Sequence, residues 1–212
     1  MTSDLGEQPD ISPPNHQVLS SQLHYYKCLV GDLLDLSASL PSTNNLRNLL
    51  ELSLMAARKL TSSDAGSIYL IDRSTPVHTV CFEVSQNDSQ PDRSLVNFAV
   101  PLNENSIVGY VALTGETLNL SDAHDLPDNV GFHHHKTFDR DIEYRTRSVL
   151  AAPILGSENK TIGVLQLINR KNQDISITTD NVRHITISYS DLDEKLLQAI
   201  ACQIAPYIER YT

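Results

Sequence analysis

Three consecutive histidines, His133 to His135, are the residues whose type and spacing most directly suggest chemistry. Histidines two positions apart in an extended segment share a face, and imidazole nitrogens bind transition metals. No acidic residue or cysteine stands at a defined metal-ligand spacing from them. We therefore predict an exposed polar loop and no bound metal. A pH-sensing role would fit histidine titration near neutrality, but no other feature of the sequence supports it.

The cysteines and serines do not indicate covalent catalysis. Cys28, Cys81 and Cys202 show no paired or metal-ligand spacing, which is typical of reduced thiols in a cytoplasmic protein. Cys81 and Cys202 are expected to be buried packing residues. The sequence has no Gly-x-Ser-x-Gly motif and no glycine-rich phosphate loop. We therefore predict no catalytic residues, no cofactor and no enzyme activity.

The composition fits one domain with helical extensions. The 212 residues include 16 basic and 26 acidic side chains, and the net charge of −10 argues against a nucleic-acid partner. No apolar run approaches the roughly 20 residues of a membrane span, so no membrane partner is expected. Residues 1–16 are polar and contain prolines, which predicts a disordered tail.

The region 17–41 is predicted to form one helix that ends at Pro41. Residues spaced alternately by four and three positions form a heptad seam with one polar interruption: Leu19, Leu23, Tyr26, Val30, Leu33, Ser37 and Leu40. Two interpretations remain open. The helix either pairs in a parallel homodimer, together with the last helix, or packs as an amphipathic helix on its own domain.

The rest of the chain alternates strand and helix patterns. A second helix is expected after a cap at Ser42 or Thr43, and a short one between Ser106 and Gly115. Strands are predicted at 65–71, 77–84, 95–100, 148–155 and 161–168, with a small hairpin at 174–178 and 184–189 and a final helix at about 191–211. The stretch 118–144 is expected to be irregular. Adjacent strands with short turns imply an antiparallel sheet and the α+β class.

Three sequence blocks, at 107–122, 144–154 and 162–169, occur in an order and at separations that resemble a GAF domain. The first block begins Ile107-Val-Gly-Tyr and the last ends Leu-Ile-Asn169. The similarity covers about residues 42–210 and is greatest to GAF domains of cyclic-nucleotide phosphodiesterases and cyanobacterial adenylyl cyclases. It implies a GAF-like antiparallel sheet with the N- and C-terminal helices on one face, and a GAF domain at 42–212 after the helix at 17–41.

The resemblance also implies a structural brace outside the ligand pocket. Asn169-Arg170 and the segment from Tyr189 to Asp193-Glu194 match the Asn-Lys…Phe-x-x-x-Asp-Glu motif of phosphodiesterase GAF domains, with Arg and Tyr in place of Lys and Phe. Arg170 is expected to pair with Asp193, because a guanidinium binds a carboxylate at least as well as an ammonium does. The alternative is a solvated surface ion pair.

A nucleotide pocket between the sheet and the 106–146 segment is the second implication. By analogy, Phe82 stacks on the base, Glu83 reads it, and the amides of Ile107 and Val108 hold the cyclic phosphate at a helix N-terminus, which favours anions. The remaining ligand contacts implied by the resemblance are Ser67, Asp139, Thr146 and Gln166.

Departures from the family pattern limit the ligand chemistry. Ile142 replaces a Thr and cannot hydrogen-bond, whereas Gln166 replaces a Glu and still can. No cysteine lies at 130–140 to attach a bilin, and the cysteine set of GAF-fold methionine sulfoxide reductases is missing.

The resemblance therefore implies a regulatory, small-molecule-sensing domain. We expect it to bind a cyclic nucleotide such as cAMP or cGMP and to relay the signal through a helical homodimer. The alternative is a dimerisation and relay domain with an empty pocket. Such modules usually precede a cyclase, phosphodiesterase or kinase, so the chain is expected to be either a fragment of a signalling protein or a stand-alone binder.

Overall fold

The computed structural model describes residues 16–74, 76–92, 99–127, 130–134, 139–140 and 143–211. The helices are α1 His16–Ser39, α2 Leu46–Thr61, α3 Ile107–Thr114, α4 Val182–Ile185 and α5 Asp191–Ile208. The strands are β1 Ser63–Asp72, β2 Thr79–Asn87, β3 Ala99–Pro101, β4 Leu118–Leu120, β5 Val149–Leu155, β6 Thr161–Lys171 and β7 Thr186–Ile187. Residues 1–15 of the tail predicted at 1–16, most of the strand predicted at 95–100, His135 and Ile142 lie outside the described residues. The last residue of that predicted tail, His16, is the first residue of α1.

All strand pairs of the sheet are antiparallel. The order is β3-β2-β1-β6-β5-β4, and β7 pairs with the end of β6. The register between β1 and β2 shifts by one residue after Ile68. Ile68 pairs with Val84 and Tyr69 pairs with Phe82, so Glu83 is the extra residue of a β-bulge. The predicted α+β class and antiparallel sheet are confirmed.

One face of the sheet carries the helical layer. Alternate residues of the central strands, such as Ile68 and Leu165, point to this side and are fully buried. α2 and α5 pack on them through stripes of apolar side chains, of which the most buried are Leu49, Leu54, Leu197, Ile200 and Ile204. N- and C-terminal helices therefore share one face, as expected.

The opposite face is covered by α3 and the chain that follows it. Ile107, Val111 and Phe132 join the alternate strand residues Val149 and Val164 in a second apolar cluster. α3 lies so close to the preceding loop that a Cβ on Gly109 would come within 1.9 Å of the Asn103 carbonyl oxygen. This close approach holds the start of α3 against the residues just before it.

Helix α1 divides into two parts with different surroundings. Leu29 and Leu36, together with Leu40 just after the helix, are at most 8% exposed and join the helical core. The first four positions of the heptad seam, Leu19, Leu23, Tyr26 and Val30, are 46–57% exposed. The C-terminal half therefore packs on its own domain, while the N-terminal half presents an apolar stripe to solvent.

Among the helices that the structure describes, none is long and apolar enough to cross a membrane.

Several predicted elements differ from the structure. The N-cap of α2 is Asn45, whose side chain accepts the Asn48 amide at 2.8 Å, and not Ser42 or Thr43 as predicted. The reason is that residues 40–42 form a 3-10 turn and the Thr43 hydroxyl donates to the Leu40 carbonyl. The hairpin predicted at 174–189 is wrong. Its second half instead forms α4 and then β7, because β6 extends to Lys171 and offers an edge at Arg170 and Lys171.

The burial predicted for Cys202 is also wrong. Cys202 is exposed and Cys81 is half-buried. Cys202 lies roughly 165° around α5 from the middle of the stripe formed by Leu197, Ile200 and Ile204, at 100° per residue. The strand β4 was missing from the prediction, because three residues are too few to show an alternating pattern.

Candidate functional site

The sheet face under α3 brings together three of the predicted ligand contacts. Ser67 and Gln166 are direct neighbours on β1 and β6, and both are buried. The Tyr69 hydroxyl donates to Oε1 of Gln166 at 3.1 Å, and the Tyr69 ring meets Phe82 edge-to-face at 4.5 Å. Burial raises the pKa of Tyr69 above its ordinary value, so this hydroxyl stays a donor. Tyr69, which the sequence prediction did not include, connects the group.

The N-terminus of α3 lies above this face. The Ser106 hydroxyl accepts the Gly109 amide at 3.0 Å and the Ser106 carbonyl accepts the Tyr110 amide at 2.8 Å. Ser106 and His133 form a parallel β-bridge, in which the Asn105 carbonyl accepts the His133 amide and the Ile107 amide faces the His133 carbonyl. Val108 stands at the second position of the helix, where an amide has no partner within the helix and the helix dipole favours an anion.

Glu83 has a different environment from Phe82. At its bulge position, burial raises the pKa of its carboxyl, and the charge of Arg47 on α2 opposes part of that rise. α2 belongs to the helical layer, on the other face of the sheet from α3. The structure therefore does not group Glu83 with Ser67 and Gln166.

Asp139 and Thr146, predicted on the ribose side, bind each other. The Asp139 carboxylate accepts the Thr146 amide at 2.8 Å and the Thr146 hydroxyl at 2.9 Å. His124 Nε2 bonds Oδ2 of Asp139 at 2.8 Å, and His134 Nε2 lies 2.9 Å from Oδ1. Asp139 is only 5% exposed. A nucleotide can contact this carboxylate only by displacing one of these neighbours.

We predicted an exposed histidine-rich loop, but only part of this loop is exposed. His133 is exposed and its amide bonds the Asn105 carbonyl, but the His134 side chain is only 13% exposed and turns towards Asp139. His124 completes the cluster from a position ten residues earlier, and no sequence spacing indicated it. Burial would raise the pKa of the Asp139 carboxyl. The nearby His134, the His124 hydrogen bond and the Thr146 amide together hold it below its ordinary value.

Asn169 fastens the segment that carries Thr146. Its Oδ1 accepts the Arg147 amide at 2.7 Å and its Nδ2 donates to the Arg145 carbonyl at 2.8 Å, so it clamps the backbone on both sides of Thr146. Asn169 is fully buried and has a φ of +58°, a left-handed conformation that Asn tolerates better than most residues. This residue therefore links β6 to the Asp139 cluster.

The other motif residues connect β6 to the start of α5. Arg170 Nε lies 3.0 Å from Oδ2 of Asp193, which is buried and also accepts the Ser190 amide at 2.7 Å in a capping box. The Tyr189 hydroxyl bonds the Ser63 hydroxyl at 2.9 Å, and burial raises the pKa of Tyr189 well above its ordinary value. Glu194 is half-buried and accepts the Gln198 amide group at 3.3 Å. The brace role of these residues stays a prediction.

Replacing Arg170 by Ala is expected to destabilise the domain by about 1–3 kcal/mol, because it removes the cation beside a buried carboxylate. We also expect nucleotide affinity to fall in parallel, without loss of a ligand contact. Urea unfolding followed by circular dichroism measures the first effect and calorimetry the second. Arg170→Lys keeps the charge and should recover part of both. Unchanged stability and affinity in Arg170→Ala would identify a surface ion pair.

A polar cleft of about 590 Å³ opens beside the Asp139 cluster. Its lining residues are Asp122, His124, Asp125, Arg145, Arg147 and Arg183. The space between the sheet and α3, where the ligand was expected, is occupied by apolar side chains such as Tyr69, Val111 and Phe132. His124, which lines the cleft, bonds Asp139, one of the predicted contacts.

The described chain is an antiparallel sheet with terminal helices on one face and a short helix and loop over the other. The family model for the GAF domain matches residues 45–208. The chain therefore belongs to the GAF domain family, whose members are regulatory, small-molecule-sensing domains that often dimerise.

Similar proteins agree with this assignment. A probable 3′,5′-cyclic phosphodiesterase of Caenorhabditis elegans is 29% identical over 125 residues, which is 54% of this chain and 15% of that protein. The GAF domain of a phosphoenolpyruvate-protein phosphotransferase from Coxiella burnetii has a TM-score of 0.64 at 16% identity, covering 86% of this chain and 93% of that one. Free methionine-R-sulfoxide reductase from Neisseria meningitidis has a TM-score of 0.61 at 16% identity, covering 94% of both chains. These structures share the fold.

Proposed function

We propose that this GAF domain binds a purine cyclic nucleotide between the sheet and the 106–146 segment and relays binding through a dimer of α1. The observation that carries the proposal is the group formed by Ser67, Tyr69, Phe82 and Gln166 on the sheet face under α3. An aromatic ring beside convergent polar groups suits a base. The similarity to a probable cyclic phosphodiesterase supports this ligand class.

Each part of the nucleotide has a proposed partner. The base stacks on Phe82 and bonds Gln166 and Ser67, while the phosphate meets the amides of Ile107 and Val108. We assign the Asp139–Thr146 pair to holding the covering segment on the ribose side. Glu83 is left out of this pose, because its carboxylate interacts with the charge of Arg47 on α2, in the helical layer on the other face.

The net charge of −10 favours a ligand of low charge. The field of the acidic surface is screened over about 8 Å at physiological salt, so the local field at the start of α3 can outweigh it for a singly charged cyclic phosphate. A triphosphate such as ATP would meet stronger repulsion. This argument selects cAMP or cGMP as probes.

Ligand entry requires the α3 layer to move, because apolar side chains now occupy the space. A nucleotide that binds only the opened arrangement shifts the population towards it. That displacement gives the domain a way to report binding to the rest of a signalling protein.

We further propose that the chain acts in the cytoplasm without catalysis, supported by its three free and dispersed cysteines.

Calorimetry with cAMP and cGMP tests the proposal. We expect binding of one of them, and we expect Phe82→Leu to weaken it about tenfold or more, since base stacking on an aromatic residue contributes about 1–3 kcal/mol. Phe82→Tyr, which keeps the ring, is the matched control and should bind nearly normally. Binding that survives Phe82→Leu unchanged would reject this pose. No heat and no thermal shift at about millimolar nucleotide would reject the ligand.

A second candidate is a relay domain that binds no ligand. The tight apolar packing of Tyr69, Phe82 and Val111 between sheet and α3 favours it. Both candidates use the same dimer of α1, whose exposed seam is the observation in its favour. The calorimetric experiment separates them.

A further inference from the structure

We propose that His124, His134 and Asp139 form a binding site for a divalent transition-metal ion of the zinc class. The three side chains come from three separate stretches of chain. They offer two imidazole nitrogens and a carboxylate oxygen, all within 4.8 Å of one another. Two histidines and one carboxylate are a recurrent ligand set for Zn²⁺ and Fe²⁺. The site is distinct from the nucleotide contacts proposed at Phe82, Gln166 and α3.

His134 supplies a buried imidazole nitrogen that faces the same carboxylate. Its Nε2 lies 2.9 Å from Oδ1 of Asp139, the distance of an ion pair, but at an angle that does not suit a hydrogen bond. A metal ion placed between Nε2 and the carboxylate would bind both atoms.

The distances leave room for an ion after a small expansion. Zn²⁺ binds nitrogen and oxygen at about 2.0–2.1 Å, which spaces tetrahedral donors about 3.3 Å apart. The present separations from the carboxylate oxygens are 2.8 Å to His124 and 2.9 Å to His134. Both histidine–carboxylate pairs therefore need to widen by about half an ångström, and the two imidazole nitrogens lie within 4.8 Å of each other. An ion would replace the proton that His124 and Asp139 now share.

The carboxylate is already oriented as a metal ligand would be. Thr146 donates its amide to Oδ2 and its hydroxyl to Oδ1 of Asp139, and Asn169 clamps the backbone on both sides of Thr146. Outer hydrogen bonds of this kind fix ligand geometry in metal sites. The Asp139 side chain is also buried, at 5% exposure, so its position is set by these neighbours and not by solvent.

The ligand types select the ion. Imidazole nitrogens favour Zn²⁺, Co²⁺ and similar first-row ions over Mg²⁺ and Ca²⁺, which prefer oxygen. Three protein ligands leave at least one coordination position for water. His124 lines the polar cleft of about 590 Å³, which supplies a route for the ion and that water.

Metal titration of the full chain, purified with a chelator that is then removed, tests the proposal. We expect one Zn²⁺ per chain by calorimetry, a rise in melting temperature with Zn²⁺, and tetrahedral absorption bands with Co²⁺. Mg²⁺ should produce none of these effects. His124→Ala and His134→Ala should each weaken Zn²⁺ binding on the order of 100-fold. Both variants should unfold cooperatively without metal, which a thermal melt verifies.

His133→Ala is the matched control, because His133 adjoins His134 in sequence but its side chain is exposed. It should bind Zn²⁺ like the unmodified chain. Equal loss in all three histidine variants, or full binding in His134→Ala, would overturn the assignment. Absence of Zn²⁺ and Co²⁺ binding to the unmodified chain would also overturn it and leave a purely structural hydrogen-bonded cluster. None of these readouts depends on nucleotide binding.

Discussion

Replacing Asp64 by Ala is expected to reduce the free energy of unfolding by about 3–5 kcal/mol, the usual effect of removing one partner from a buried ion pair. Asp64 is fully buried at the start of β1. Its carboxylate lies 3.2 Å from Nζ of Lys171 and accepts hydroxyl groups of Ser89 and Tyr144 at 2.8 Å each. The change would leave the ammonium and both hydroxyls without their shared acceptor.

The expected loss is large because Asp64 joins four parts of the chain. Burial and the Asp64 charge raise the pKa of Tyr144 well above its ordinary value, so the tyrosine remains a donor. Tyr144 begins the stretch that carries Thr146, and Lys171 ends β6. Weakening of this contact should therefore loosen the segment that positions Asp139 as well as the sheet itself.

Urea unfolding monitored by circular dichroism measures this effect. The matched control is Asp174→Ala, because Asp174 lies 3.7 Å from the same Lys171 ammonium but is fully exposed. Its unfolding midpoint should stay close to that of the unmodified chain. Asp64→Asn should fall between the two, since an amide still accepts a hydroxyl but carries no charge. Similar midpoints for Asp64→Ala and Asp174→Ala would show that the buried pair contributes little.

Local signals in the sequence predicted the elements that depend on local chemistry. Helix α3 begins after Ser106 and ends at Gly115, as predicted, because a serine hydroxyl accepts an orphan amide and glycine adopts the left-handed cap, here with a φ of +71°. The same holds for strands β1, β5 and β6, whose apolar runs are long enough to be read without knowledge of their neighbours.

Features set by distant contacts were not predictable in this way. β7 forms only because β6 extends far enough to pair with it, and the 174–189 region by itself reads as a hairpin. The cluster of His124, His134 and Asp139 depends on how three loop segments are placed by α3, by β4 and by the Asn169 clamp. Sequence spacing records none of these placements. We therefore predicted Asp139 as a ligand contact, whereas its carboxylate is bonded to neighbouring residues of the protein.

The interpretation of α1 as an amphipathic helix on its own domain describes its C-terminal half, and the homodimer stays a prediction that concerns the exposed N-terminal half. The core-facing residues Leu29, Leu36 and Leu40 lie roughly 90° around the helix from the seam formed by Leu23, Tyr26 and Val30, at 100° per residue. One helix can therefore pack on its domain and still present an apolar stripe. Leu33 lies between the two faces and is partly buried against the domain core. A test of dimerisation should leave Leu33 unchanged.

Substituting Glu at both Leu23 and Val30 is expected to convert a homodimer into monomers. Both side chains are more than half exposed in the single chain, at 56% and 57%, so the change should not disturb its core. In a parallel pair of helices the four glutamates would face each other in an apolar seam, where charges are costly. Sedimentation velocity at tens of micromolar protein should show twice the monomer mass for the unmodified chain and the monomer mass for the variant.

The matched control places the same two charges on another face of α1. His24 and Cys28 are exposed and lie roughly 130–170° around the helix from the seam, at 100° per residue. The double variant His24→Glu with Cys28→Glu should therefore remain dimeric, although its net charge changes as much. Dissociation of both variants would mean that charge alone separates the chains. A monomeric unmodified protein would remove the dimer from the proposed relay and leave the exposed seam without a partner copy.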